Sequence, residues 1–157
     1  MLALVSVQTG ALTFSKPAAW TNRTPASSMR VAEFVVPRAS RDAEDGELIV
    51  YYFGGSGGSV EANLQRWTSQ FQSSKAAVRT KATVNGLELT SLDVSGTYIA
   101  EVRPGSTERH NKPGFRMRAV VVETPKGPYF IKLTGPSAAI EKAGGAFDQF
   151  LRSLAFK

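Results

Sequence analysis

The spacing of apolar residues changes several times along the chain, and each change predicts an element. Met29, Val31, Ala32, Phe34 and Val36 predict a strand that Pro37 ends. The run Leu48 to Phe53 after Glu47 is continuously apolar, which predicts a strand covered on both faces. Val60, Leu64, Trp67 and Phe71 then fall at i, i+4, i+7 and i+11, one stripe of a helix over 59–72. Ser59 is placed to cap it, and Glu61 sits in the first turn, where the helix dipole favours a carboxylate.

Arg79 to Val84 and Leu87 to Val94 flank Asn85-Gly86, the strongest two-residue signal for a type I′ hairpin. Gly96 to Val102 predicts a further strand, and an irregular loop runs from Pro104 to Gly114. Phe115 to Thr124 and Tyr129 to Thr134 make a second hairpin across Pro125-Lys126-Gly127. With a two-residue tip, Arg118 faces Leu133, Val120 faces Ile131, Val121 faces Phe130 and Val122 faces Tyr129. Ile140, Phe147, Phe150, Leu151 and Leu154 stripe a last helix over 137–153. Gly144-Gly145 weakens that helix by about 1 kcal/mol per glycine and marks a kink or a close approach. Near the start, Leu2 to Val7 and Ala11 to Ser15 read as short strands before a turn at Pro17.

Both faces of the second hairpin are apolar, so the sheet needs a layer on each side. The fold class is therefore α+β: a mostly antiparallel sheet of about six to eight strands between helical layers. One domain, 1–157, accounts for a length that buries about two thirds of the unfolded surface.

Composition narrows the chemistry. There is no cysteine, which excludes disulfides, zinc-thiolate sites, iron–sulfur clusters and thiol nucleophiles. The first residues lack a basic segment and reach Ser6 early, so they read as strand, not as a signal peptide or membrane span. Net charge is +6, and residues 79–157 carry most of the excess. Arg103, Arg109, Lys112, Arg116 and Arg118 face only Glu108 in a short stretch, a candidate contact for nucleic acid, an anionic surface or an acidic protein. The plainer reading is a solvated loop and strand edge, since no stacking aromatics are interleaved as in an RNA-binding sheet.

Four glycines in Gly54-Gly55-Ser56-Gly57-Gly58 mark a constrained strand-to-helix crossing. The segment matches G-x-S-x-G, and Asp93 and His110 follow in hydrolase order. Against a hydrolase, that elbow belongs to a parallel sheet, and here the helix starts three residues after the serine. The same loop offers backbone N–H groups and the Ser59 helix start to an anion. Its nucleotide-binding extension is missing. His110 is the one histidine, with Glu101 and Glu108 as its only acidic companions nearby, so no metal or cofactor site is expected. Trp20, Trp67, Tyr51, Tyr52 and Tyr98 are the aromatic candidates for a pocket. Trp67 is expected in the core, and Trp20, after a proline turn, is expected partly exposed and available to a ligand or partner.

The order of elements resembles a known architecture. Pro17 to Trp20, the mid-chain helix, the Asn85-Gly86 hairpin, Tyr129 to Pro136, the closing helix and Ser153 to Phe156 are similar to the PsbP-like αβα sandwich. That superfamily includes the extrinsic PsbP subunit of photosystem II and a Ran-interacting nuclear import factor. Gly57 to Trp67, Leu92 to Tyr98 and Lys132 to Pro136 resemble a group of uncharacterised, often exported bacterial proteins. PsbP metal and photosystem-contacting residues do not carry over, because the ligand set is missing, and fold alone licenses no activity. The resemblance implies a binding or accessory module, often outside the cytoplasm.

The resulting expectation is a non-enzymatic ligand- or protein-binding domain. Candidate contacts are Trp20, Ser56, Ser59, Arg103, Arg109, His110, Arg116 and Arg118. Two alternatives stay open: a small serine hydrolase using Ser56 and His110, and an anionic-surface or nucleic-acid binder using the basic 103–118 region.

Overall fold

A computed structural model describes residues 10–73 and 75–157. The strand expected at Leu2 to Val7 lies outside the described residues. The elements follow as β1 (Leu12–Thr13), β2 (Thr21–Arg23), β3 (Arg30–Val36), β4 (Gly46–Tyr52), α1 (Val60–Thr68), β5 (Phe71–Gln72), β6 (Val78–Val84), β7 (Leu87–Tyr98), β8 (Lys112–Thr124), β9 (Gly127–Pro136), α2 (Ser137–Lys142), α3 (Gly144–Arg152) and β10 (Ala155–Phe156). An eight-stranded sheet runs β2-β3-β4-β9-β8-β7-β5, with β6 also paired to β7. Every pairing is antiparallel. β1 and β10 form a separate ribbon.

Local chemistry accounts for the register. Asn85 and Gly86 both take positive φ, 49° and 80°, and Val84 faces Leu87, as a type I′ turn requires. The β8–β9 hairpin turns on Pro125-Lys126, so Arg118 faces Leu133, Val120 faces Ile131, Val121 faces Phe130 and Val122 faces Tyr129. Because side chains alternate, these pairs feed opposite cores. Val120, Val122, Ile131 and Leu133 meet α2 and α3 through Ile140, Phe147 and Phe150. Met117, Ala119, Val121 and Phe130 meet α1 through Leu64 and Trp67.

Several boundaries differ from the sequence pattern, among them the start of β8 at Lys112, inside the loop expected to reach Gly114. The first helix stops at Thr68: Phe71 continues the helical stripe but lies in β5, opposite Tyr98. Pairing to the sheet there outweighs one more helical turn, and the Ile99 N–H donates to Gln70 O at 2.8 Å. The C-terminal helix is two helices that break at Ala143, next to the glycine pair. The strands expected at Leu87 to Val94 and Gly96 to Val102 merge into β7, whose register shifts near Gly96 and which ends at Tyr98, so Ile99 to Val102 belong to the loop that folds on itself instead.

Candidate functional site

α1 is shorter than the sheet is wide, and it covers the β7–β9 half of its face. Ser59 caps it by accepting from the Ala62 N–H at 3.0 Å. On the rest of that face, side chains of β2, β3 and β4 form a polar lattice. Glu33 is its centre, with its side chain 2% exposed. Its carboxylate accepts from Arg23 Nε at 3.0 Å, Arg30 Nη1 at 3.0 Å and the Ala26 N–H at 2.6 Å. Burial pushes the Glu33 pKa up, but the Ala26 N–H, Arg30 and Arg23 together hold it below the ordinary value. Arg23 also bonds Glu47 at 2.7 Å.

Between this lattice and α1 lies a cleft of about 510 Å³. Its floor is Ile49 and Tyr51 of β4 with Lys132 and Thr134 of β9. Arg66 and Gln70 at the end of α1 form one wall, and Tyr98 with the 99–111 loop forms the other. That loop is folded on itself. The His110 N–H donates to Ala100 O at 2.9 Å, the Val102 N–H to Glu108 O at 3.0 Å, and the Gly105 N–H to Glu101 Oε1 at 3.2 Å. The His110 ring stacks on Tyr98 with centroids 5.3 Å apart.

The charges in the cleft do not cancel. Arg30 is tied to Glu33 and Glu47 to Arg23. Lys132, Arg66 and Arg109 take part in no ion pair among the described residues. Lys132 Nζ donates to Gln70 Oε1 at 3.1 Å, and Arg66 donates to Asn63 Oδ1. Desolvation first, then the Arg66 charge, lowers the Lys132 pKa to about 8, while Glu47 acts in the opposite direction. Desolvation pushes the Tyr98 phenol up to about 12, so it stays a neutral donor at ordinary pH.

The expected contact residues scatter. Arg109 and His110 line the cleft, as do Tyr51 and Tyr98. Trp20, expected partly exposed, is 2% exposed. The Pro17 turn, closed by the Trp20 N–H donating to Pro17 O, folds the indole back to 5.5 Å from Phe150. Ser56 is exposed, and its hydroxyl donates to Phe53 O at 3.0 Å. Gly55 packs against the Lys126 carbonyl, and a Cβ on Gly127 would lie 2.6 Å from Gly55 Cα, so the glycine loop abuts the β8–β9 tip. His110 lies two residues before β8 begins, at the other end of that 13-residue strand. At the usual strand rise this puts Ser56 and His110 on the order of 30–40 Å apart. The serine–histidine arrangement is therefore not assembled.

The basic stretch is likewise divided. Arg116 and Arg118 do share a strand face, but it is the face toward α3. Arg116 grips Asp93 through two bonds of 2.9 and 2.7 Å. Arg118 bonds Asp148 at 2.9 Å and lies 4.7 Å over the Phe147 ring. Lys112 pairs with Glu44 at 2.8 Å. Arg103 is exposed on the loop, outside the cleft lining. Sequence reasoning passed over Lys132 and Arg66. The available signal was the single lysine inside Tyr129-Phe130-Ile131-Lys132-Leu133, at a position alternation assigns to the α1 side.

No helix among the described residues is long and apolar enough to cross a membrane. No family model matches the chain, and no curated protein matches it. Among solved structures, a Pseudomonas aeruginosa protein of unknown function superposes with a TM-score of 0.57 at 18% identity, over 93% of this chain and 97% of that one. The solution structure of PsbP (CyanoP) from Synechocystis superposes with a TM-score of 0.51 at 13% identity, over 100% of this chain and 99% of the other. At such identities the likeness is one of architecture, and the chain has a PsbP-like α+β fold.

Proposed function

We propose that this chain is a non-enzymatic, ligand-binding accessory domain whose site is the cleft between α1, the sheet and the 99–111 loop. One observation carries the reading: the cleft brings Lys132, Arg66 and Arg109, which have no ion-pair partner among the described residues, together with two tyrosine rings in one concavity, groups able to orient an anionic ligand. The separation of Ser56 from His110 removes the support for the hydrolase alternative. The pairing of Arg116 and Arg118 with Asp93 and Asp148 weakens the extended basic surface. Placement outside the cytoplasm belongs to the same proposal and draws on the resemblance to often exported bacterial proteins.

The test is a fragment screen followed by NMR mapping on the folded protein. Ligands are expected to perturb amides of Tyr98, His110 and Lys132 together. Perturbations confined to the glycine loop or to β6 would reject the cleft as the site.

A further inference from the structure

Resting on that reading, we propose that the cleft takes a small organic monocarboxylate, its carboxylate between Lys132 and Arg66 and its flat or apolar body against Tyr51 and Tyr98. Lys132 and Arg66 come from opposite sides, the sheet floor and the end of α1, and neither has a carboxylate partner among the described residues. Each is held by one neutral amide oxygen: Gln70 Oε1 for the ammonium and Asn63 Oδ1 for the guanidinium. Those bonds fix the cations in place and leave their charge uncompensated. A ligand carboxylate supplies the missing charge in a setting where charge-assisted hydrogen bonds are shorter and stronger than neutral ones.

The acids of the cleft limit how much negative charge it accepts. Glu47 and Glu101 also line it, and Glu47 is shared with Arg23 outside. A phosphate dianion would bring its second charge against these carboxylates, whereas a monocarboxylate puts its one charge at the Lys132–Arg66 end and only its uncharged body elsewhere. Above the charged end, Tyr51 is half-buried and stacks on Phe53 at 5.9 Å, and Tyr98 stacks on Phe115 at 6.0 Å. Arg30 lies 5.6 Å over Tyr51 and His110 stacks on Tyr98, so the two rings are held on their faces and offer their edges to a ligand's body.

Protonation supplies an independent readout. The charged groups that face Lys132 are Arg66 from α1, Glu47 from β4 and Arg30 from β3, with the neutral Tyr51 phenol beside them. Across the cleft the loop adds Arg109, His110 and Glu101. Desolvation and the two arginines hold the ammonium near its titration point, so an added carboxylate draws a proton onto it.

The experiment is calorimetric titration of the full chain with benzoate, acetate, inorganic phosphate and the neutral isostere benzamide. It is run at pH 8.5 in two buffers of different ionisation enthalpy. Benzoate is expected to bind with proton uptake and more tightly than acetate, while benzamide and phosphate bind at least tenfold more weakly. Lys132→Met and Arg66→Gln are each expected to weaken benzoate at least tenfold. Arg66 is exposed on α1, so that variant tests the site without altering a buried position. Equal binding of benzamide, equal binding of phosphate, or full affinity in Arg66→Gln would each overturn the carboxylate assignment. If only neutral fragments enter the cleft, this inference falls and the binding-domain reading stands; if nothing enters it, both fall.

Discussion

The two faces of the central sheet are built from the same alternating strands and end in different states. Toward α2 and α3, Leu48, Val50, Val120, Ile131 and Leu133 are all but inaccessible, under a lid of Ile140, Phe147, Phe150 and Leu154. Trp20 and Phe14 from the N-terminal segment close the remaining gap on Phe150. Toward α1, a nine-residue helix seals Leu92, Met117 and Phe130 and stops, leaving Glu33, Glu47, Tyr51 and Lys132 beside it. One face therefore provides stability, and the other carries charge in a hollow. The difference teaches that helix length, more than strand composition, decides where a two-faced sheet keeps a site.

The largest expected effects test the sealed regions. Phe150→Ala removes a ring that contacts Phe14, Trp20, Phe34 and Phe147, and Trp67→Ala removes the main anchor of α1. Each should cost about 3–5 kcal/mol in urea unfolding. A cost under about 1 kcal/mol for Trp67→Ala would show that α1 is not sealing its half of the sheet.

Glu33→Gln comes next, because it leaves Arg23 and Arg30 without their carboxylate at a buried position. The expected loss is about 2–4 kcal/mol at pH 7. The folded pKa of Glu33 lies below the ordinary 4.5, so its stabilisation is present above that value and disappears as pH falls through the folded pKa. Acid unfolding of the wild type should therefore be steeper below pH 4.5 than that of the variant. Parallel curves would sink the assignment.

Exchanging Arg116 and Arg118 for glutamate places like charges beside Asp93 and Asp148 on the sealed face. Since both arginines are only about one quarter exposed, the double variant should lose about 2 kcal/mol in stability. A fully stable double variant would return these residues to the pool of free surface cations.

Lys132→Met acts in the opposite sense. The lysine pKa falls from 10.5 to about 8 on folding, so above pH 8 the unfolded chain binds more protons, and wild-type stability rises from about pH 8 to 10.5. The methionine variant should be more stable at pH 7 by about 1–2 kcal/mol, a figure reduced for the open cleft, and should lack that rise. Thermal melts across this range check it, and an identical pH profile in both proteins would show that the ammonium is fully hydrated. The smallest effect belongs to Ser56→Ala, expected within about 0.5 kcal/mol of wild type, with no change in labelling by a serine-directed fluorophosphonate.

Much of the architecture was legible because local signals agreed with the global pairing. Asn85-Gly86 fixed one hairpin, and the two apolar faces of Val120-Val121 against Phe130-Ile131 required layers on both sides. Phe71 misled because its place in the helical stripe is genuine, whereas its pairing with Tyr98 is a tertiary preference that no short window contains. Trp20 misled for the same reason: polar neighbours in sequence say nothing of Phe34 and Phe150 in space. The cleft was half legible. Tyr51, Tyr98, Arg109 and His110 stood out as aromatic or charged, but Lys132 is one polar residue within an apolar strand and Arg66 one charge on an amphipathic helix, and neither differs in sequence from a solvated side chain.

The pairing of β4 with β9 has a consequence for how the chain is made. β2, β3 and β4 follow one another in sequence and pair as a three-stranded meander, yet on the other side of β4 Leu48 and Val50 face Leu133 and Ile131, some eighty residues downstream. Synthesis of that interval takes about 4–16 seconds. Throughout it the β4 edge is unpaired and the apolar face uncovered, and closing so long a loop is entropically slow. Three of the eight strands are therefore made before the strand that joins them to the rest, and nascent-chain truncations ending before Tyr129 should be the forms that chaperones retain.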